Sequence, residues 1–159
     1  MRPDSPYARI FGAGPLGGTV SIALLGGAAV VAARTPELGF HLAAGIRWAI
    51  LIAGAVAGAG IILWSVRSLP VGERGRSFCV SGPFYWVRHP LYAAFLSVFN
   101  PALAIALDHP VYLGWAVILH PLWHVLIRPE ERLLEEYFGG DYRIYASHTG
   151  RFVPRPGRP

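Results

Sequence analysis

Two polar stretches stand out in an otherwise apolar chain. The first is Ser81-Gly82-Pro83-Phe84-Tyr85-Trp86-Val87-Arg88-His89-Pro90-Leu91-Tyr92. The second is Arg128-Pro129-Glu130-Glu131, with an aromatic-rich tail behind it. Together they offer a guanidinium, an imidazole, two carboxylates and several aromatic faces. Guanidinium groups and helix N-terminal amides suit a ligand carboxylate. A glutamate suits an ammonium or ribose hydroxyls, and aromatic faces suit a cation. S-adenosylmethionine carries all of these groups on one molecule; a nucleotide cofactor would also fit. A further pair, His120 and His124, lies four residues apart, which puts both rings on one helical face. That spacing could present two ligands to a metal or haem iron. Pro121 distorts the turn between them and no third ligand is evident. The pair is therefore read as lining a polar cavity or as hydrogen-bonded packing, and no metal is expected. Cys79 is the single cysteine and reads as a reduced bystander thiol.

The elements that must position these groups are set by composition. The chain has 159 residues, 53% hydrophobic and 14% charged, with a mean hydropathy of +0.43. Soluble domains carry about 25% charge, so burial in a membrane is the first reading. Four apolar segments follow, near Leu16–Ala33, Leu42–Val66, Leu91–Leu107 and Val111–Ile127. A spanning helix needs about 20 apolar residues, with a lower limit near 17. The first two segments pass, and the last two sit at the limit. Strands are not expected, because the segments are continuously apolar and an open sheet cannot satisfy its edges in lipid. Trp48 and Trp64 bracket the second segment as interface aromatics, with Arg47 able to snorkel beside Trp48. Gly54 and Gly58 give a spacing that permits close helix approach, read as packing only. Only Asp108, His109 and Pro110 separate the third and fourth segments, which forces a helical hairpin. Pro101 and Pro121 each remove a backbone donor inside it.

All 14 basic residues are arginine, and the formal net charge is +5. They gather at segment ends, not along a basic stripe, so nucleic acid is not expected as a partner. Arg2 and Arg9 precede the first segment. Arg67, Arg74, Arg76 and Arg88 follow the second, and six more arginines lie in the tail. The opposite side holds Arg34 and Arg47 with Glu37 and Asp108. Both termini and the central loop are therefore expected in the cytoplasm, with the chain in the cytoplasmic (inner) membrane. The first segment reads as an uncleaved span, not a signal peptide. In the tail, Pro129, Glu130 and Glu131 suit a helix start. Leu133, Leu134, Tyr137 and Phe138 share a face of an interfacial helix. Gly139 and Gly140 are expected to end it, with a short turn carrying Tyr142 and Tyr145 beyond and a frayed end from Pro154. The fold class is thus an all-α integral membrane protein of about four transmembrane helices, with a C-terminal hairpin and a cytoplasmic interfacial tail. It forms a single domain: two spans in residues 1–66, and a motif-bearing region in 67–159 with the hairpin at 91–127 and the tail at 128–159. Because the hairpin reverses the chain, both polar stretches come to one end of one helix pair.

Gly82-Pro83-Phe84-Tyr85-x-Val87-Arg88-His89-Pro90-x-Tyr92 resembles the G-P-Y-x-x-V-R-H-P-x-Y-x-G motif of the isoprenylcysteine carboxyl methyltransferase and phospholipid methyltransferase superfamily. Glu130-Glu131-x-x-Leu134-x-x-x-Phe138-Gly139-x-x-Tyr142-x-x-Tyr145, followed by Arg151-Phe152-x-Pro154, is similar to that family's C-terminal signature. The resemblance covers Gly82 to Pro154, and the first two segments match only in being spans. It implies an S-adenosylmethionine site held by His89, Pro90 and Tyr92 and completed by Glu130 or Glu131, with Tyr142 a further cofactor-side candidate. Arg88, which would orient an acidic substrate group or the cofactor carboxylate, and Glu131 are the implied catalytic residues; Arg151 is a weaker candidate. Ala94 stands where the family has glycine, and its methyl would restrict backbone approach to a cofactor.

The expected activity is methyl transfer to a lipophilic acceptor beside the bilayer. The acceptor is left open between a prenylcysteine-like carboxylate, a phospholipid amine and another small lipid. The Arg-only, Ala/Gly-rich composition suits a bacterium of high GC content, where prenylated proteins are not expected. Two other classes compete. Sterol-type reductases, which use a nicotinamide cofactor, share an R-H-P-x-Y motif, although an acidic residue usually follows the glycine position and Phe95 does here. The third class is a non-catalytic haem or metal protein using His120 and His124.

Overall fold

The computed structural model describes residues 12–69 and 79–155. Arg2, Arg9, Arg74, Arg76 and the last residues of the tail, on which part of the charge argument rests, lie outside them. Five helices follow one another: α1 (Gly14–Arg34), α2 (Ala44–Ser68), α3 (Pro90–Ala106), α4 (Pro110–Leu126) and α5 (Arg128–His148). Short 3-10 turns at Pro36–Leu38 and Gly82–Tyr85 connect them. Among the described residues there is no strand; an isolated bridge joins Val87 to Gly150.

Three helical runs are long and apolar enough to cross a membrane: Gly14–Arg34, Ala44–Ser68 and the continuous Pro110–His148. Pro90–Ala106 is apolar but shorter. Their outward faces carry large exposed apolar side chains, among them Ile22, Val56 and Val117. In lipid such faces gain nothing by pairing, so packing and interhelical hydrogen bonds must hold the bundle.

Small residues supply the first. A side-chain carbon on Gly54 would collide with the methyl of Ala102, and one on Gly58 would come within 3.6 Å of the Ala94 carbonyl. The Gly54/Gly58 pair is thus the seam between α2 and α3. Ala94 is 1% exposed in that seam. Indole donors supply the second. Trp115 Nε1 donates to the Ser21 carbonyl and Trp123 Nε1 to Ser21 Oγ, both at 3.0 Å, tying α4 to α1.

The prolines act as the chain's chemistry requires. A π turn spans Ala94–Phe99, in which the Asn100 N–H bonds back to the Phe95 carbonyl. The next residue is Pro101, which has no N–H. Leu96's carbonyl therefore loses the helix donor that would continue the register. His120 Nε2 lies 3.2 Å from it and fills the vacancy from α4.

At the far end of the hairpin Asp108 adopts φ +63. Its side chain accepts from the Leu42 N–H at 3.0 Å and pairs with Arg47 at 3.6 Å. Arg47 also donates to the Ala106 carbonyl at 2.7 Å. His109 Nδ1 accepts from the Val111 N–H, which leaves Nε2 to donate to the Thr35 carbonyl at 2.9 Å. Arg47 thus ties α2 to the hairpin turn. The tail differs from expectation. Gly139 (φ 59, ψ −129) breaks the helix, but α5 resumes and runs to His148. One glycine in a left-handed conformation bends the path without stopping it, because Gly140 and the residues after it return to helical angles.

Two substitutions check this packing by thermal melting in detergent. Gly54→Leu is expected to destabilise the chain by about 1–3 kcal/mol through overpacking, while Gly60→Ala, with open space around it, leaves the midpoint unchanged or higher. His120→Ala is expected to cost about 1–3 kcal/mol by stranding the Leu96 carbonyl.

Candidate functional site

α3 begins at Pro90, where a missing N–H costs nothing in the first helical turn. α5 begins at Arg128, directly after α4. The hairpin therefore delivers Arg88, His89 and Tyr92 to the place where Glu130 and Glu131 start the tail helix. Residues Thr149–Val153 fold back as a strap over the same end. The Arg88 N–H donates to the Gly150 carbonyl at 2.8 Å and the His89 N–H to the Arg151 carbonyl at 3.1 Å.

Glu131 is the hub. Its Oε1 accepts from Arg88 Nε at 2.9 Å and Nη2 at 2.7 Å, and lies 3.4 Å from His89 Nε2. Its Oε2 accepts from Arg151 Nε at 2.8 Å and Nη2 at 2.5 Å. Two guanidiniums thus grip one carboxylate, each through two nitrogens on one oxygen. Arg88 reaches further, to the carbonyls of Ala146 and Thr149. Burial alone would push the Glu131 carboxyl up. Hydrogen bonds from His89, Arg151 and Arg88 outweigh it and hold the group well below the usual carboxylate range.

Glu130 is held differently. Its Oε2 accepts from the Ala13 N–H at 3.0 Å and the Tyr92 hydroxyl at 3.2 Å. Its Oε1 lies 3.7 Å from His89 Nδ1. His89, 6% exposed, therefore stands between the two carboxylates with a ring nitrogen facing each. The lone pairs of Glu131 are taken by arginine. Glu130 has the less crowded oxygen.

Aromatic rings close the cluster. Phe152, buried in the strap, lies 5.0 Å from the His124 ring and 6.1 Å from that of His89, centroid to centroid. The Tyr92 ring lies 5.8 Å from His89 and 4.9 Å from Trp123. Tyr145 donates to the Phe84 carbonyl at 2.5 Å, tying the tail to the first polar stretch. Tyr142 is buried, its ring 6.2 Å from Tyr145. Burial and then the nearby Glu131 charge push its hydroxyl up, so it stays neutral.

Arg88, His89, Pro90, Tyr92, Glu130 and Glu131 are thus together, and Tyr142 sits within electrostatic reach of both glutamates. His120 and His124 are separated in role. Arg151 Nη1 donates to His124 Nδ1 at 3.2 Å, while His120 serves Leu96. Among the described residues no group of three histidine, cysteine or acidic side chains could hold a metal ion. Arg151 is more central than sequence reasoning makes it. Its motif position was the available signal, but pairing with Glu131 requires the strap to turn back. Ala13 had no sequence signal at all, since it contributes a backbone N–H. No protein-family model matches the chain, and no curated protein matches it either.

A carboxyl whose pKa is depressed by folding stabilises the fold fully above its unfolded value, about 4.3. That contribution shrinks as pH falls below this value toward the folded one. The melting midpoint is expected to drop on acidification below that point. Glu131→Gln is expected to remove part of this acid dependence and, by leaving two guanidiniums without their counter-charge, to cost about 3 kcal/mol at neutral pH. An identical pH profile in both proteins would refute the hub assignment.

Proposed function

We propose that this chain is a membrane methyltransferase that uses S-adenosylmethionine to methylate a lipophilic acceptor. The observation that carries the reading is the meeting of Arg88, His89 and Tyr92 with Glu130 and Glu131 at one end of a helix pair built for lipid. Both stretches also resemble, in order, the two signatures of the isoprenylcysteine and phospholipid methyltransferase superfamily. In this reading α1 to α4 all span the membrane, α5 lies in the interface, and the cluster and both termini face the cytoplasm.

The donor set fits the cofactor. Glu130 would accept from its ammonium or ribose hydroxyls through Oε1, the oxygen with fewest protein donors. The Tyr92 ring would face the cationic centre, and Arg88 or Arg151 would meet the carboxylate by turning one guanidinium nitrogen from its carbonyl or imidazole partner. When bound, the cofactor supplies an electrophilic methyl group and a neutral thioether as leaving group. The chain's own contribution is alignment and the exclusion of water. Glu131 acts as the clamp that fixes Arg88 and Arg151 and not as a base, since a carboxyl held this far down accepts protons poorly. His89 turns each ring nitrogen to a carboxylate. An acceptor carboxylate needs no base; for an acceptor amine, Glu130 is the group left to take the proton.

Purified chain in lipid nanodiscs is expected to bind S-adenosylmethionine saturably and to transfer its labelled methyl group to a component of a total lipid extract. Glu130→Gln is expected to weaken binding at least about tenfold, a loss of about 1.4 kcal/mol, while the melting midpoint stays close to that of the parent. Saturable NADPH binding without S-adenosylmethionine binding would favour a membrane reductase, and a Soret band would favour haem; either result defeats the proposal.

A further inference from the structure

The helix that the motif resemblance leaves out is the one that touches Glu130. The start of α1 lies directly on this side chain: the Ala13 N–H donates to Oε2 at 3.0 Å. Gly12 precedes it with φ +50, and a side-chain carbon there would stand 2.8 Å from Glu130 Cδ and 3.0 Å from the Tyr92 hydroxyl. No L side chain fits this backbone without strain, and none fits the space.

A second path runs from α1 to the same carboxylate. Gly17 packs so tightly on the Trp123 ring that a side-chain carbon would collide with it. Ser21 Oγ accepts from Trp123 Nε1 at 3.0 Å. The Trp123 ring lies 4.9 Å from that of Tyr92, whose hydroxyl donates to Glu130 Oε2 at 3.2 Å. The contacts close a loop from Ala13 through Glu130, Tyr92 and Trp123 back to Gly17 and Ser21. One oxygen of Glu130 is consumed by this loop, which leaves the other facing His89 and the rest of the cluster.

We infer that the first turn of α1, through Gly12 and Ala13, is a positioning element of the site that sets the orientation of Glu130, so that the site is incomplete without α1. The inference rests on the reading of Glu130 as the cofactor-facing carboxylate. It assigns α1 a role that a mere membrane anchor would not have: moving its first turn moves a ligand-binding oxygen.

The test is equilibrium binding of S-adenosylmethionine to the full chain in nanodiscs, with melting midpoints measured alongside. Gly12→Ala pushes on the carboxylate. Ala13→Pro deletes the N–H while keeping a backbone angle that proline accepts, since Ala13 has φ −78. Gly18→Ala, on the same helix with open space around it, is the control. Each of the first two is expected to raise the dissociation constant about tenfold, as misplacing a site group by an ångström can. The control is expected to change it less than about twofold with the midpoint retained. Gly12→Ala added to Glu130→Ala is expected to weaken binding no further than Glu130→Ala alone, because both act through one group. Unchanged binding in Gly12→Ala and Ala13→Pro, or full additivity with Glu130→Ala, overturns the inference while leaving methyl transfer standing. No saturable binding by the unsubstituted chain overturns both.

Discussion

One carboxylate between two arginines organises this protein. Glu131 accepts from Arg88 and Arg151 through both oxygens, and each arginine belongs to a different part of the chain. Arg88 precedes the hairpin, Arg151 follows the tail helix, and Glu131 stands at the junction of hairpin and tail. A charge taken this far out of water is tolerated only when its partners are in place. That requirement pins three segments to one point. The carbonyls of Ala146 and Thr149, bonded by Arg88, extend the same constraint into the turn that reverses the tail.

The bundle around this point uses the methods available where water offers no help. Gly54 and Gly58 let α2 approach α3 at Ala102 and Ala94. Indole N–H groups of Trp115 and Trp123 bond to Ser21 on α1. The carbonyl that Pro101 strands at Leu96 is recovered by His120. Each device satisfies a backbone or side-chain group that lipid cannot. At the opposite end Arg47, Asp108 and His109 fasten α1 and α2 to the hairpin turn. The two polar ends therefore differ in kind. One is a set of local ties between a turn and its neighbours. The other converges groups from four separate segments on a pair of carboxylates.

Adjacent glutamates with unequal surroundings divide the work between them. Glu131 is filled by charged donors and fixes geometry. Glu130 is held on one oxygen by a helix amide and a tyrosine hydroxyl, which leaves the second for other partners. His89 separates the two, and the aromatic faces of Tyr92 and Phe152 flank it. A molecule presenting an ammonium, hydroxyls, a carboxylate and a compact cation meets complementary groups here, which is why methyl transfer is the activity this geometry supports best.

The sequence by itself determined the helices and their rough ends, because continuous apolar runs, proline at helix starts and a three-residue connection each have a local physical meaning. It also determined that Arg88, His89, Tyr92, Glu130 and Glu131 share one end, since a hairpin leaves them nowhere else to go. Only the tertiary structure decided which glutamate is the clamp. Two neighbouring carboxylates are alike in sequence, and they differ only in what other segments bring to them. The same holds for Arg151, which reaches Glu131 through a reversal of the chain that no local pattern encodes. It holds for Ala13, whose part is played by a backbone N–H that every non-proline residue possesses. It holds for His120 and His124, paired by spacing yet drawn apart by a stranded carbonyl on one side and a guanidinium on the other. Local sequence fixes what a residue can donate or accept; the partner arrives from a distance, and only packing decides which one it is.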